Sequence, residues 1–214
     1  MNLYTSKDQN YFSNARTEIQ PFLPEQNWGA ASVLEIGCAE GFTLAWLKKI
    51  GYCSWSAGID PYVNVDLFQR SIDYFSNVDI EKNISEISID AVDLILCLDV
   101  LEHLVNPWQT LQLLTKFLKP GGRMIISLPN VRNYHVVTDL AIRGEFKYTE
   151  SGIMDQTHLR FFTKASAIAM IKGAELRVIE CRATESDRWQ KKLMKFLGLE
   201  ELTAKQFIFV AEHF

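Results

Sequence analysis

The chain has 214 residues, 48% of them apolar and 22% charged, a balance that suits one globular domain with a core of its own and excludes low-complexity or collagen-like architectures. A formal net charge of -4 argues against a general affinity for nucleic acid. The opening MNLYTSKDQN has no apolar signal core, and the longest apolar run, near residues 91–101, is too short for a bilayer and is broken by Asp93 and Asp99.

Residues 11–23 read as a weak amphipathic helix stopped by Pro21 and Pro24, so residues 1–30 are expected to form a helical cap. ASVLEIGC follows as a short apolar strand, then the glycine turn with Gly37 and Gly41. A helix along GFTLAWLKKIG follows, with Gly51 as its stop. WSAGID (55–60) is a second strand, 63–72 a helix and 73–78 a weakly marked third strand. VDLILCLDV (92–100) is nearly continuous in apolar residues, as a strand buried on both faces requires. The next helix is framed by Asn106 as N-cap, Pro107 in its first turn and KPGG as its stop. RMIISLPN (123–130) is the fifth strand, and 131–144 reads as a helix ending at Gly144. A helix over 164–172, capped by Thr163 and closed by Gly173, precedes strands near 175–181 and 206–214. Strand and helix alternate from residue 32 to 130, which predicts an α/β fold, doubly wound, with helices on both faces of the sheet. The cysteines Cys38, Cys53, Cys97 and Cys181 form no CxxC pair and lie in or beside apolar runs. They read as free buried thiols in a reducing, cytoplasmic compartment.

In such a fold a ligand binds at the carboxyl ends of the strands. Gly37 and Gly41 let backbone approach it closely, and Asp60, at the end of the second strand, can accept two hydrogen bonds from a vicinal diol. The dinucleotide pattern G-x-G-x-x-G is not met, because its three positions hold Gly37, Ala39 and Phe42. Without a ligand, the same residues would make only a tight turn and a strand cap.

VLEIGCAEG, GID, VDLILCLDVLEHL and LKPGG, in this order, resemble the class I S-adenosylmethionine-dependent methyltransferases. The resemblance implies one domain over 1–214 with a Rossmann-like seven-stranded sheet whose last strand is antiparallel. It implies S-adenosyl-L-methionine as cofactor, with Glu35, Gly37, Cys38 and Gly41 near its methionine part and Asp60 on the ribose. Asp79 and Ile80 would frame the adenine, and Cys97, Leu98 and Asp99 would flank the sulfonium. Ala39 departs from the family, which more often has glycine there. SLPN with RGEFKYTESGIMDQTHLRFFT is similar to a bacterial subgroup met alongside glycosyltransferases and surface-polysaccharide assembly, which implies O-methylation of a sugar or glycan intermediate. A small non-sugar metabolite, or cofactor binding without turnover, are the alternatives.

The stretch from 131 to 162 is long enough to form a lid on the substrate side. Phe161 and Phe162 are expected to anchor it in the core. His158 would then act as base, with Asp155 orienting its ring, and Arg160 would hold an acceptor anion. Tyr134, His135 and Tyr148 would line a sugar site. The competing reading is a buried polar network that only locks the loop, with Arg160 on Asp155 and His158 on a backbone carbonyl. His103 is a second candidate base, unless Glu102 and His103 merely brace the turn before Asn106. Glu102, His103, Asp155 and His158 are metal-ligand types, but no HExxH-like spacing supports a metal, and none is expected. Residues 188–198 pattern as a basic amphipathic helix. Trp189, Leu193, Phe196 and Leu197 share one face against Arg188, Lys191, Lys192 and Lys195. It would either touch an anionic membrane or pack on the sheet. The pattern says nothing of oligomeric state.

Overall fold

A computed structural model of the chain describes residues 14–62, 72–184 and 199–214. The expected helices at 63–72 and 188–198 fall almost wholly or wholly outside these residues. Seven strands form one sheet in the order β3-β2-β1-β4-β5-β7-β6. They are β1 (Ala31–Ile36), β2 (Cys53–Ile59), β3 (Tyr74–Ser76), β4 (Val92–Leu98), β5 (Leu118–Pro129), β6 (Leu176–Thr184) and β7 (Gln206–His213). The first five run parallel, and β7 is antiparallel to both neighbours, β5 and β6. This is the Rossmann-like arrangement the sequence implies.

The central strands alternate between two cores. On β4, Leu94, Leu96 and Leu98 face one apolar cluster with Val33, Leu44, Leu47 and Ile208. Ile95 and Cys97 face the other, with Leu34, Leu111, Phe162 and Ile171. Each such aliphatic side chain contributes about 1.5–3 kcal/mol through burial, which explains why the strand needs no polar face.

The helices are α1 (Phe42–Lys49), α2 (Pro107–Leu114), α3 (Tyr134–Thr138, continued by a π-helical turn over Asp139–Arg143) and α4 (Lys164–Gly173). α2 starts as expected: the Asn106 side chain accepts the Gln109 amide at 3.2 Å and Pro107 takes the first position. At α4, Thr163 and Ser166 form a reciprocal capping box.

Four local expectations are corrected. Where a helix was expected over 11–23, the described part is a 3-10 turn, Thr17–Phe22, with Pro21 inside it. A 3-10 turn of this length tolerates the missing amide that would break an α-helix. KPGG does not precede the fifth strand but lies within β5 as an irregularity, because Val92 pairs with Leu118 and Leu94 with Arg123. Gly173 does not close α4 in a left-handed conformation; Glu175 takes that role at φ 60°. Phe162 is buried at 3% exposure, but Phe161 is only half-buried and faces Phe146 at 5.6 Å and Tyr148 at 6.1 Å. One Phe, not two, is the anchor.

The excursion after β5 returns to the sheet edge. Asn130 bridges Phe162, and the Val131 amide donates to the Phe162 carbonyl at 2.9 Å. The Leu159 and Arg160 amides donate to the Glu102 carbonyl at 2.8 and 3.0 Å. That contact fixes the end of the excursion on the turn that follows β4.

Candidate active site

The carboxyl ends of β1, β2 and β4 are held together by register, with Ile36 beside Ile59 and Cys97. Gly37 has φ 67°, and a Cβ built on it would lie 2.7 Å from Val100 Cγ2. Only glycine lets the first turn lie this close to the turn after β4. Gly41, at φ 74°, starts α1. Ala39 adopts φ 45°, the conformation the family's more usual glycine reaches without strain. Its amide is held by Asp60 Oδ2 at 2.9 Å, while Asp60 Oδ1 accepts from the Tyr62 amide at 2.9 Å. Burial pushes the Asp60 carboxyl up, against these two amides.

Glu35 is the buried acid of this edge, 3% exposed, with Oε2 lacking a hydrogen-bond partner. Desolvation pushes its pKa up to about 8, against lowering by Thr43 and Arg16, and Asp60 raises it a little further. Cys38 is buried, and desolvation pushes its thiol up as well, so it is not a nucleophile. Ile80 packs in the core with Ile59 and Ile36. At Asp79, desolvation is outweighed by Lys82 Nζ at 2.7 Å and the Glu81 amide at 3.0 Å, which hold the carboxyl below its ordinary value.

Asp99 follows buried Leu98 at φ 59°. Its carboxylate accepts from Arg16 Nη1 at 2.7 Å, Ser127 Oγ at 2.9 Å and Gln206 Nε2. Sequence reasoning missed all three partners. They come from the N-terminal segment, β5 and β7, far from Asp99 in the chain, and no local pattern marks them.

The LEH turn, Leu101–His103, carries the other acid. Glu102 is 1% exposed, and neither carboxylate oxygen has a hydrogen bond from another residue. Burial, with Asp99 nearby, pushes its pKa well up. His158 Nε2 lies 4.0 Å from Glu102 Oε1, and the His103 and His158 rings meet edge to face at 4.8 Å. His158 Nδ1 is 3.0 Å from the Ile153 carbonyl, and His103 Nδ1 is 3.1 Å from the Thr157 carbonyl. Asp155, 2% exposed, accepts the Thr157 amide at 2.8 Å and hydroxyl at 2.7 Å through Oδ1. It therefore shapes the loop that holds His103.

The expected substrate residues divide. Arg160 is half-buried: its guanidinium donates to the Leu159 and Val105 carbonyls and lies 6.0 Å from the Trp108 ring. Tyr134 and His135 stack at 3.9 Å on α3, and Tyr148 is half exposed within the Phe146–Phe161 aromatic group.

The sheet order, the glycine turn and the two acids at the strand ends define a methyltransferase-type α/β domain. The chain belongs to the methyltransferase domain family, whose model matches residues 8–181, and is a class I S-adenosylmethionine-dependent methyltransferase domain. It is 25% identical over 150 residues to a ubiquinone biosynthesis O-methyltransferase of Shewanella pealeana, covering 67% of this chain and 62% of that protein. The chain thus spans under two thirds of that curated relative. Its fold is similar to a SAM-dependent methyltransferase of Archaeoglobus fulgidus, at TM-score 0.67 and 17% identity over 95% of this chain and 97% of that one. It is also similar to the N-methyltransferase NodS of Bradyrhizobium japonicum in complex with S-adenosyl-L-homocysteine, at TM-score 0.63 and 16% identity over 99% and 96%.

The residues at the strand ends fit S-adenosylmethionine. The unpartnered, buried Glu35 oxygen offers an acceptor to its ammonium. No described helix is long and apolar enough to cross a membrane.

Proposed function

We propose that the chain transfers a methyl group from S-adenosylmethionine to a hydroxyl of a small-molecule acceptor, with residues 131–162 as a lid on the substrate side. The observation that supports it best is the meeting of Glu102, His103 and His158 at the end of β4, next to the glycine turn. When bound, the cofactor supplies an electrophilic methyl on sulfonium sulfur. Glu35 and Asp60 hold its ammonium and ribose; Asp79 and Ile80 border the adenine; Cys38, Gly41, Leu98 and Asp99 complete the walls. A hydroxyl needs help in losing its proton, and the Glu102–His103–His158 cluster supplies it. Asp155 positions that cluster by fixing Thr157. Tyr134, His135 and Tyr148 offer aromatic faces with polar tips to the acceptor.

These faces favour the finer reading of a sugar or glycan hydroxyl. The named relative, a ubiquinone biosynthesis O-methyltransferase, favours a non-sugar acceptor of the same size class. The test is release of S-adenosylhomocysteine in the presence of nucleotide sugars in one arm and ubiquinone-biosynthesis intermediates in the other. Turnover in neither arm, with cofactor bound, would leave a binding module. His158→Ala is expected to abolish transfer while cofactor affinity survives; full activity in that variant removes His158 from the mechanism.

A further inference from the structure

We infer that Glu102, His103 and His158 form a site for one divalent transition-metal cation. Each contributes a donor atom, and these atoms lie within 4.8 Å of one another. In a tetrahedral shell two donors about 2.1 Å from one ion stand about 3.4 Å apart, so the widest pair must close by about 1.4 Å when the ion binds.

Three features separate this cluster from a chance meeting of polar groups. First, the Glu102 carboxylate is nine-tenths buried and more, yet neither oxygen receives a hydrogen bond from another residue. Buried polar atoms are normally satisfied, so an orphaned carboxylate asks for a partner the protein does not supply. Second, the two imidazoles are set up alike. A carbonyl oxygen only accepts, so Ile153 and Thr157 fix the proton of each ring on Nδ1. That leaves an Nε2 lone pair on each ring, and on His158 this atom is the one 4.0 Å from Glu102. An N–H donated from the other ring nitrogen to a backbone carbonyl is one of the outer-shell contacts that orient metal-bound histidines. Third, the ligands come from two segments joined by backbone. The Glu102 carbonyl accepts the Leu159 and Arg160 amides, so His158 arrives with its position already fixed.

The donor set selects the ion. Two imidazole nitrogens and one carboxylate suit zinc and its first-row neighbours. Magnesium and calcium prefer all-oxygen shells. Three protein ligands leave a coordination position open, as catalytic sites do. Asp99 is not a ligand, since Arg16, Ser127 and Gln206 already hold its carboxylate.

The role of the site rests on the transfer reading above; its existence does not. A hydroxyl bound at the open position would have its pKa lowered. Its proton leaves to solvent, an oxygen lone pair forms the O–CH3 bond, and the S–CH3 bond breaks with its electron pair staying on sulfur. The products are a methyl ether and S-adenosylhomocysteine.

The experiment uses the full chain, stripped with chelator and titrated with Co2+ alone, read by visible ligand-field absorption and by metal analysis after equilibrium dialysis. One Co2+ per chain is expected in the wild type. Glu102→Gln and His158→Ala should each weaken it by more than the about 10–100-fold that loss of an outer-shell partner costs. The double variant His135→Ala, His213→Ala, which removes the other two histidines, should keep it. Glu102→Gln is nearly isosteric and replaces a buried carboxyl that receives no hydrogen bond from another residue, so folding does not limit it, and it decides the matter if His158→Ala unfolds. Calorimetry with S-adenosylhomocysteine on the stripped protein tests the cofactor reading separately. Absence of a stoichiometric Co2+ site in wild type, or binding unmoved by Glu102→Gln, overturns the inference.

Discussion

Cofactor binding should release a proton, and Glu35 should be its source. With its pKa near 8, the side chain is about 0.9 protonated at pH 7 by simple titration. A carboxylate accepting an ammonium group in a buried site is held ionised. Binding at pH 7 should then expel about 0.9 proton. Affinity should rise about ninefold from pH 6 to pH 7, a range in which the cofactor's own amine stays protonated. The assay is calorimetry with S-adenosylhomocysteine in buffers of different ionisation enthalpy, where the slope of apparent heat against that enthalpy counts protons. Glu35→Gln should reduce the count to near zero and flatten the pH dependence. A wild-type slope of zero, with tight binding, would refute the assignment of Glu35 to the ammonium.

Stability of the cofactor-free protein should also depend on Glu35. Its folded pKa lies above the ordinary 4.5, so between these values the folded state binds more protons than the unfolded. Stability from this group is complete below pH 4.5 and falls as pH rises towards 8, by at most about 5 kcal/mol; denaturant titrations of wild type and Glu35→Gln should converge at low pH. Gly37→Ala places a Cβ against Val100 at φ 67° and should cost about 1–2 kcal/mol as well as cofactor affinity; an unchanged midpoint and Kd would mean the turn relaxes freely. Asp60→Asn should weaken S-adenosylhomocysteine binding by about 10–150-fold, the scale of a lost charged hydrogen bond, and unchanged affinity would take Asp60 off the ribose. Phe162→Ala should destabilise by about 3–5 kcal/mol and raise amide exchange at Leu159 and Arg160; retained protection there would show that the excursion docks without its anchor.

The sheet was legible wherever residues are buried on both faces. VDLILCLDV has no polar alternation because β4 separates two cores, and that alone marks it. The three-residue β3, half-buried throughout, gives almost no pattern. Pro21 misled because proline signals the end of an α-helix but sits acceptably in a 3-10 turn. Of the candidate cofactor residues, Gly37, Gly41 and Asp60 stand out in the sequence as a set because one turn and one strand end carry them. Arg16 and Asp99 are 83 positions apart, and their pairing exists only after folding. The same holds for Glu102 and His158: neither lies in a spaced metal motif, so the sequence offered ligand types without geometry. Asp155 was expected to orient His158, but the Ile153 carbonyl stands at Nδ1, and a carbonyl leaves no sequence signature.

The LEH turn allows the bracing role and the chemical role to be separated, because they use different atoms. Bracing falls to the Glu102 backbone, whose carbonyl takes the Leu159 and Arg160 amides. Any residue could provide that carbonyl. The Glu102 side chain adds nothing to the brace and instead places a carboxyl group out of water without hydrogen bonds from other residues, an arrangement that costs folding free energy. If the turn were only structural, Glu102→Gln or Glu102→Leu should be neutral or stabilising and without consequence for transfer. If the carboxylate faces a cation or an acceptor proton, the same variants should gain stability and lose turnover together. That opposed movement is what a local strain stored at a working site produces. It is measurable on one protein preparation with a denaturant curve and a rate.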